Sequence, residues 1–587
     1  MNISNIQKTL IKYYLYNQLG GSYKWTTLDH NGVLFPANYV PHKIPLIYKN
    51  KKVELTSEQE EAAMLYAKYI HSEYIQNKTF NKNFWNDWKK LLGNNSTIQT
   101  LEDCDFNEYY DKIQTDKEHE KTVDIISSDE EHINSEETTD IETEKLNTKN
   151  IDVVREKKEE VLERDKQSRI NYNINEIEEA KYKIALVDGK VQPVGNYRME
   201  PPGIFLGRGD NPKIGKIKPR IYPEDVTLNI GKDTPIPKTL KGHKWGEIIH
   251  NRKVEWLASW KDIITGKIKY LWLGAQSDFK ASSDTEKFDL ARKLKRKIET
   301  IRKDNDKNLN SDNLKTKQIA TAFSFIDKFA LRVGNEKGKD ETDTVGVTSL
   351  RVEHVDLLEN NTISLDFLGK DSVRYYNKLS VEPDVYKNII EFVNDKGKNE
   401  QIFDLIVPND INKYLQQFMK NLTAKVFRTY NASYLFSKEL KKITKKYEGI
   451  NDHELLLNEF NKANAKVAQL CNHQKNVGKS FKGQVDKMEE SIKKIKSKMR
   501  KLKNSKSNTK TEKLNTYMDK LKKLKSKKDL KIELKNISLT TSKINYIDPR
   551  ITIAFFKLHK LPIEKVFSIS LQEKFKWAFD IDETYSF

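Results

Sequence analysis

Between residues 485 and 533 apolar side chains are sparse and strictly placed. Ile492, Ile495, Met499 and Leu502 recur at 3-4-3 spacing, Leu514, Tyr517, Leu521 and Leu524 repeat it, and lysine fills most other positions. A stripe this narrow closes a two-helix seam and nothing larger. With NSKSNTKT between the runs as the turn, the pattern predicts an antiparallel coiled-coil hairpin with a solvated, cationic surface. The hairpin divides the long chain before it from the roughly 50 residues after it.

Charge follows the same division. Residues 481–540 hold 20 Lys/Arg against 7 Asp/Glu, most of the formal net charge of +19. Residues 116–150 run the other way, with 12 acidic side chains, 4 lysines and no aromatic residue, and read as a disordered acidic insert. SSDEE within it is a solvated tether before it is a phosphorylation site. The overall excess favours an anionic partner, nucleic acid first and an acidic membrane surface second. No apolar run approaches the roughly 18 residues a membrane span needs, and the N-terminus lacks a secretory signal's apolar core. Cys104 and Cys471 are the only cysteines among 587 residues, which excludes disulfide scaffolds and Cys-based zinc modules and fits a reducing compartment.

The long N-terminal part resolves into a β-rich and a helical region. WTTLDHNGVLFPANYVP carries the punctuation of short strands and turns. SEQEEAAMLYAKYI predicts a helix with Ser57 and Glu60 as capping box and Met64, Ala67 and Ile70 as buried stripe. A charged helix is expected over about 153–182. Residues 200–275 look β-rich, with KVEWLASW and KIKYLWL joined as a hairpin through Thr265-Gly266. From about 283 to 475 the chain is mostly helical, with one β-section between Ser349 and Val381.

Familiar cofactor motifs are missing. Gly478-Lys479-Ser480 has His473 where a phosphate loop needs its leading glycine, and Gly207-Arg208-Gly209-Asp210 runs into Asn-Pro. No HExxH or metal-spaced carboxylate cluster occurs. The expected chemistry uses ordinary side chains, with neither ATP nor a required metal.

Five positions carry that chemistry. In QIATAFSFIDKFALRVGNEK, Ile319, Phe323, Ile326, Phe329 and Val333 bury one helix face, Arg332 falls in the last turn, and Gly334 is placed to cap it. Lys370 sits at the tip of a hairpin, between the alternating strands of NTISLDFLGKDSVRYYNK. Arg428 follows a helix packed by Leu415, Phe418, Met419 and Leu422. A helix with Leu455, Phe460, Ala463, Val467 and Leu470 ends at His473. Tyr546 lies just ahead of a helix started by Asp548 and Pro549. Singly, each has an ordinary structural role: dipole partner, turn lysine, terminal histidine, packed tyrosine. Together they supply a phosphodiester transfer with a phenolic nucleophile, two arginine forks, a third donor and a lysine general acid. A phosphotyrosyl ester stores the broken bond's energy, so no ATP is needed.

At these residues the chain resembles eukaryotic DNA topoisomerase I, the type IB family, in LRVGNEK, DTVG, SLRVEH, DFLGKDSVRYYNK, LTAKVFRTYNAS, CNHQ and TSKINYIDPRIT. KWTTLDHNGVLF, EPPGIFLGRGDNPKIGKIKPRIYPEDV, GHKW and KIKYLWL extend the likeness upstream. The resemblance implies a multidomain α+β fold: a two-lobed DNA clamp with a mostly helical, tyrosine-recombinase-like catalytic domain, a coiled-coil linker and a small helical C-terminal domain. Its parts map to 1–275, 276–475, 476–537 and 538–587. It implies Tyr546 as nucleophile, Arg332, Arg428 and His473 as phosphate clamp, and Lys370 as general acid. DNA contacts are implied at Lys269, Tyr270, Gly334, Asn335, Glu336, Lys337, Thr423, Ala424 and Lys425. Arg208, Asp371 and Asn545 match positions lining the nick where camptothecin-like poisons stack. A nuclear, monomeric enzyme acting on double-stranded DNA follows from the same resemblance.

Two departures stand out. Leu206 replaces an arginine usual in the family, and the family's long charged N-terminal tail is not part of the sequence. KKIKSKMRKLK reads as a solvated linker face before it reads as an import signal. The nearest rival, a tyrosine recombinase, usually has histidine three residues before the second arginine, where this chain has Lys425. A non-catalytic DNA-clamping protein would carry the same charge but would not need all five side-chain types in order.

Overall fold

The computed structural model describes residues 23–94, 96–129, 177–335, 341–450, 452–475, 477, 480–503 and 510–587. It is a mixed helix and sheet protein of two compact units, 1–280 and 281–587. Among the described residues no helix is long and apolar enough to cross a membrane.

The first unit holds two cores. Strands β1 (Leu28–His30), β2 (Leu46–Tyr48) and β3 (Lys51–Val53) precede helices α1 (Ser57–Ala67) and α2 (Lys78–Leu92), strand β4 (Cys104–Asp105) and helix α3 (Asn107–Asp129). One core lies where these helices meet the β3-β2-β4 sheet, and it is built on aromatic rings: Tyr66 stacks on Phe84 at 4.3 Å and Phe84 on Trp88 at 5.6 Å. The cap of α1 falls one residue earlier than expected, on Thr56, with Gln59 reaching back to it. Glu60 is instead buried, accepting hydrogen bonds from the Tyr39 hydroxyl and the His42 amide, both at 2.7 Å. A buried carboxylate needs such donors more than a surface cap does.

Helix α3 continues to Asp129, so the first part of the segment read as a disordered insert is helical backbone. The rest of that segment, and most of the charged helix expected over 153–182, lie outside the described residues.

The second core is β. Strands β5 (Ile184–Val187), β6 (Lys190–Pro193), β7 (Gly203–Ile204), β8 (Ile217–Lys218), β9 (Val226–Asn229), β10 (Glu247–Ile249), β11 (Ala258–Lys261) and β12 (Ile268–Leu271) follow one another. They form the sheets β1-β5-β6 and β10-β9-β11-β12 and the ribbon β7-β8. The β11–β12 hairpin turns through Thr265 and Gly266, with Gly266 at φ +69.

The chain passes into the second unit within α4 (Asp278–Leu294) and continues through α5 (Ile298–Asn308) and α6 (Leu314–Phe329) to the antiparallel sheet of β13 (Val355–Leu358), β14 (Thr362–Leu368) and β15 (Arg374–Ser380). Then come α7 (Pro383–Val393), α8 (Pro408–Gln416), α9 (Ala424–Lys446), α10 (His453–Leu470), α11 (Phe481–Lys503), α12 (Lys510–Glu533), α13 (Leu539–Asn545), α14 (Pro549–Leu558) and α15 (Ile569–Lys574). One large core joins α6, α9, α10, α14 and the sheet.

Helices α11 and α12 lie side by side. The Lys528 ammonium meets Glu489 at 3.2 Å, and Ile492 of α11 is buried. At the base Gln474 pairs antiparallel with Ile537, the Ser538 amide donates to the His473 carbonyl at 2.8 Å, and Leu530 and Leu534 pack with Ala465 of α10. The helix pair is thus an excursion whose two ends are tied together.

Candidate active site

Four of the five singled-out side chains, Arg332, Lys370, Arg428 and His473, line one pocket of the second unit, and the ring of the fifth, Tyr546, lies against two of them. Each arrives by a different route.

Arg332 does not sit in the last turn of its helix. Helix α6 stops at Phe329 because Ala330 takes a left-handed conformation, φ +50, leaving Arg332 on extended chain beyond it. Gly334 is not the cap either. At φ +87 its Cα is pressed on Gly346, where an added Cβ would come within 2.6 Å of backbone. The two glycines let LRVGN and DTVG cross without side chains between them. The Val347 amide donates to the Arg332 carbonyl at 2.9 Å, fixing the arginine's backbone from the DTVG side.

Lys370 lies exposed in the β14–β15 turn, followed by Asp371 and Ser372 at φ +67 and +57. It makes no ion pair or hydrogen bond from its side chain among the described residues. The side-chain amides of Asn472 and Gln474 donate to the Arg374 carbonyl at 3.4 and 3.5 Å, which ties this hairpin to the loop carrying His473.

Arg428 lies in the second turn of α9, about 5% exposed. Its Nη1 donates to the Ala330 carbonyl at 2.6 Å and its Nη2 to the Cys471 carbonyl. Two carbonyls from two separate segments therefore set the plane of the guanidinium. Among the described residues its Nε is buried with no hydrogen-bond partner.

His473 is also about 5% exposed, three residues past α10. Its Nδ1 lies 2.8 Å from Ser542 Oγ, while Nε2 is buried with no partner among the described residues. Burial, with the Arg428 and Arg332 charges adding to it, pushes its pKa down to about 3. The ring is neutral at pH 7 and keeps one N–H.

Tyr546 caps the C-terminus of α13 and is half-buried. Its ring stacks on His473 with centroids 5.3 Å apart, and the Arg428 guanidinium carbon lies 5.0 Å from its centroid. Ser433, on the same helix as Arg428, donates to the Tyr546 carbonyl at 3.0 Å and accepts from the Asp548 amide at 3.0 Å. Asp548, fully buried, caps α14 through the Arg550 amide and accepts from the Arg550 guanidinium and the Tyr585 hydroxyl.

Buried polar atoms are almost always paired. Two buried nitrogens without partners among the described residues, Arg428 Nε and His473 Nε2, share one pocket with Arg332, and Arg428 Nε–H beside Arg332 suits an anion with several acceptor oxygens. Among the described residues no group of His, Cys, Asp and Glu is arranged to hold a metal ion.

The remaining expected contacts are dispersed. Thr423, Ala424 and Lys425 form the start of α9, with the Ala424 amide held by Asn412 and Lys425 exposed. Asp371 and Asn545 are exposed in the turn after Lys370 and at the end of α13, and Asn335 is exposed after Gly334. Glu336 and Lys337 lie outside the described residues. In the first unit Arg208 is exposed in the β7–β8 loop, Tyr270 lies between Trp256 and Trp272, and Lys269 is ion-paired with Glu200 at 2.7 Å and Asp262 at 3.0 Å. The residues that sequence reasoning did not single out are Ser542, Ser433 and the carbonyls of Ala330 and Cys471. Only Ser542 left a trace, as the residue one helical turn before Tyr546.

A tyrosine ring packed against a buried arginine and a histidine, with a second arginine and a lysine lining the same pocket, has the side-chain types that transfer of a phosphodiester through a tyrosine calls for. Comparison with known proteins narrows this reading. The model of the eukaryotic DNA topoisomerase I catalytic core matches residues 276–506, that of the eukaryotic DNA topoisomerase I DNA binding fragment matches 23–160 and 133–273, and that of the C-terminal topoisomerase domain matches 518–587. DNA topoisomerase 1 alpha of Arabidopsis thaliana is 41% identical over 591 residues, covering 97% of this chain and 60% of that protein. DNA topoisomerase 1 of Caenorhabditis elegans is 40% identical (96% of this chain, 68% of that protein), and that of Homo sapiens 37% (96% and 72%). The chain belongs to the eukaryotic DNA topoisomerase I family. It spans about 60% of the length of the Arabidopsis relative.

Proposed function

We propose that this chain relaxes supercoiled duplex DNA without ATP: it nicks one strand through a 3′-phosphotyrosyl bond at Tyr546, lets the free 5′ end rotate, and reseals. The observation that carries this reading is the pair of buried nitrogens without partners among the described residues, Arg428 Nε and His473 Nε2, next to the Tyr546 ring. A scissile phosphate bound there meets two guanidinium groups and an imidazole N–H. Each is worth about 10²–10³ in rate if it follows the negative charge that grows on the nonbridging oxygens. Because the carbonyls of Ala330 and Cys471 already orient Arg428, little reorganisation is needed when the phosphate arrives.

Lys370 protonates the departing 5′ oxygen in this scheme. It lines the pocket from the β14–β15 turn, and its exposed ammonium can deliver a proton there. The phenolic ester formed is similar in energy to the bond broken, so resealing needs no nucleotide, and helical tension drives the rotation. The start of α9 offers the exposed Lys425 to the DNA backbone, while the Ala424 amide beside it is already held by Asn412. Lys269 reaches DNA only by exchanging its ion pairs with Glu200 and Asp262. In this reading the α11–α12 pair is the coiled-coil linker, the second unit contains the recombinase-like catalytic domain, the protein acts as a monomer in the nucleus, and camptothecin-like inhibitors stack near Asp371 and Asn545.

Plasmid relaxation tests the proposal. The wild-type chain relaxes supercoiled plasmid in EDTA without ATP, and Tyr546→Phe binds DNA with unchanged affinity but does not relax it. Binding without relaxation by the wild type favours a non-catalytic clamp. Strand exchange between two specific sites favours a recombinase.

A further inference from the structure

A neutral imidazole carries one N–H, and the partner of one ring nitrogen decides whether the other can donate. For His473 that partner is Ser542, whose fully buried hydroxyl lies 2.8 Å from Nδ1. If Ser542 accepted from Nδ1–H, Nε2 would be a bare lone pair buried beside two arginines. Arg428 Nε–H is unpartnered in the same pocket and would be its natural donor, yet the two make no hydrogen bond. If Ser542 donates to Nδ1, both Nε2 and Arg428 Nε are donors. Their failure to bond one another then follows.

Ser542 also belongs to the helix that carries Tyr546. The amides of Tyr546 and Ile547 both donate to the Ser542 carbonyl at 3.0 Å. One residue therefore joins the nucleophile's backbone to the histidine's ring.

We propose that Ser542 is a positioning residue: it holds His473 in the Nε2–H tautomer and so supplies the third phosphate donor only while the Tyr546 helix is docked. This rests on the function proposed above, in which His473 donates to the scissile phosphate. It makes donor and nucleophile arrive together. Because His473 is neutral at pH 7, the tautomer and not the charge decides whether it can donate.

The tautomer is read directly from the ring nitrogen shifts of the full chain labelled with ¹⁵N-histidine, with His473→Gln identifying the resonance among 11 histidines. The wild type shows Nε2–H at pH 7, and Ser542→Ala shifts His473 toward a mixture. An Nδ1–H wild type, or a tautomer unchanged in Ser542→Ala, overturns the proposal. Single-turnover cleavage of a duplex oligonucleotide supplies the second readout. Ser542→Ala slows cleavage about tenfold or more with unchanged DNA affinity, and Ser542→Thr restores it. In the His473→Gln background, where the amide donates without a tautomer, Ser542→Ala costs less than about twofold. Equal losses in both backgrounds would reduce Ser542 to packing. Should Ser542→Ala fail to fold, the wild-type spectrum still decides. A wild type that does not cleave DNA would sink the functional reading and leave the tautomer result standing.

Discussion

The Tyr546 ring stacks on the His473 imidazole, 5.3 Å between centroids and 27° from parallel, although the whole α11–α12 pair lies between them in sequence. The two meet because the pair is closed at its base by Gln474 with Ile537 and by Ser538 with His473. The site is thus built at the base of the helix pair, and the outer length of the pair adds charge without adding geometry.

Removal of residues 490–527 behind a short turn should therefore leave cleavage of a duplex oligonucleotide within about tenfold of wild type. DNA affinity should fall less steeply with salt, since many lysines leave with the deleted segment. The slope of log affinity against log salt, measured beside the cleavage rate, separates the two effects.

Arg428→Lys keeps the charge and loses the fork. A single ammonium cannot satisfy the Ala330 and Cys471 carbonyls and still present a donor to the pocket. Cleavage should fall by about 10², and stability by about 1–3 kcal/mol, the cost of leaving a buried carbonyl unsatisfied. Single-turnover rates and thermal melts read the two losses. A variant as fast as wild type would show that charge alone suffices.

Gly346→Ala places a Cβ 2.4 Å from the Gly334 Cα and 2.8 Å from the Arg332 carbonyl, all backbone that cannot rotate away. The crossing must open, costing about 1–3 kcal/mol by the measure of overpacked cores, and Arg332 moves with it. A cleavage defect accompanies the drop in melting temperature. Gly483→Ala, at a glycine with open space around it and no left-handed backbone, serves as the comparison for the melt.

Much of this was legible in the sequence because periodicity reports it. The helix pair, the β-section between Ser349 and Val381, the Thr265-Gly266 turn and the Asp548-Pro549 helix start all follow from local pattern. The misplacements have one cause. Hydrophobic spacing that runs on to Val333 predicts a helix end at Arg332 and Gly334, but Ala330 turns left-handed to bring its carbonyl to Arg428, and Gly334 answers to Gly346. Likewise Glu60 left the cap for buried donors supplied by Tyr39 and His42. Contacts between segments far apart in sequence leave no period to read, and for that reason Ser433, Ser542 and the Cys471 carbonyl went unseen.

His473 makes the acid dependence specific. Its folded pKa, about 3, lies below the free value near 6.5. Between these the unfolded chain binds a proton that the folded chain refuses, so stability from this residue is full above pH 6.5 and falls as pH drops toward 3. His473→Gln removes the slope, worth up to about 1.4 kcal/mol per pH unit. Denaturant melts from pH 4.5 to 7.5 compare the two chains, and a slope unchanged by the substitution contradicts the assignment of a neutral, buried imidazole.

Chemical capture of the intermediate tests the central claim most directly. Denaturant added during cleavage of a supercoiled plasmid, followed by nuclease and protease digestion and mass spectrometry, should return a peptide containing Tyr546 joined through its phenolic oxygen to the 3′ phosphate of a nucleotide. A nucleotide on any other residue, or one attached through its 5′ phosphate, would contradict the account.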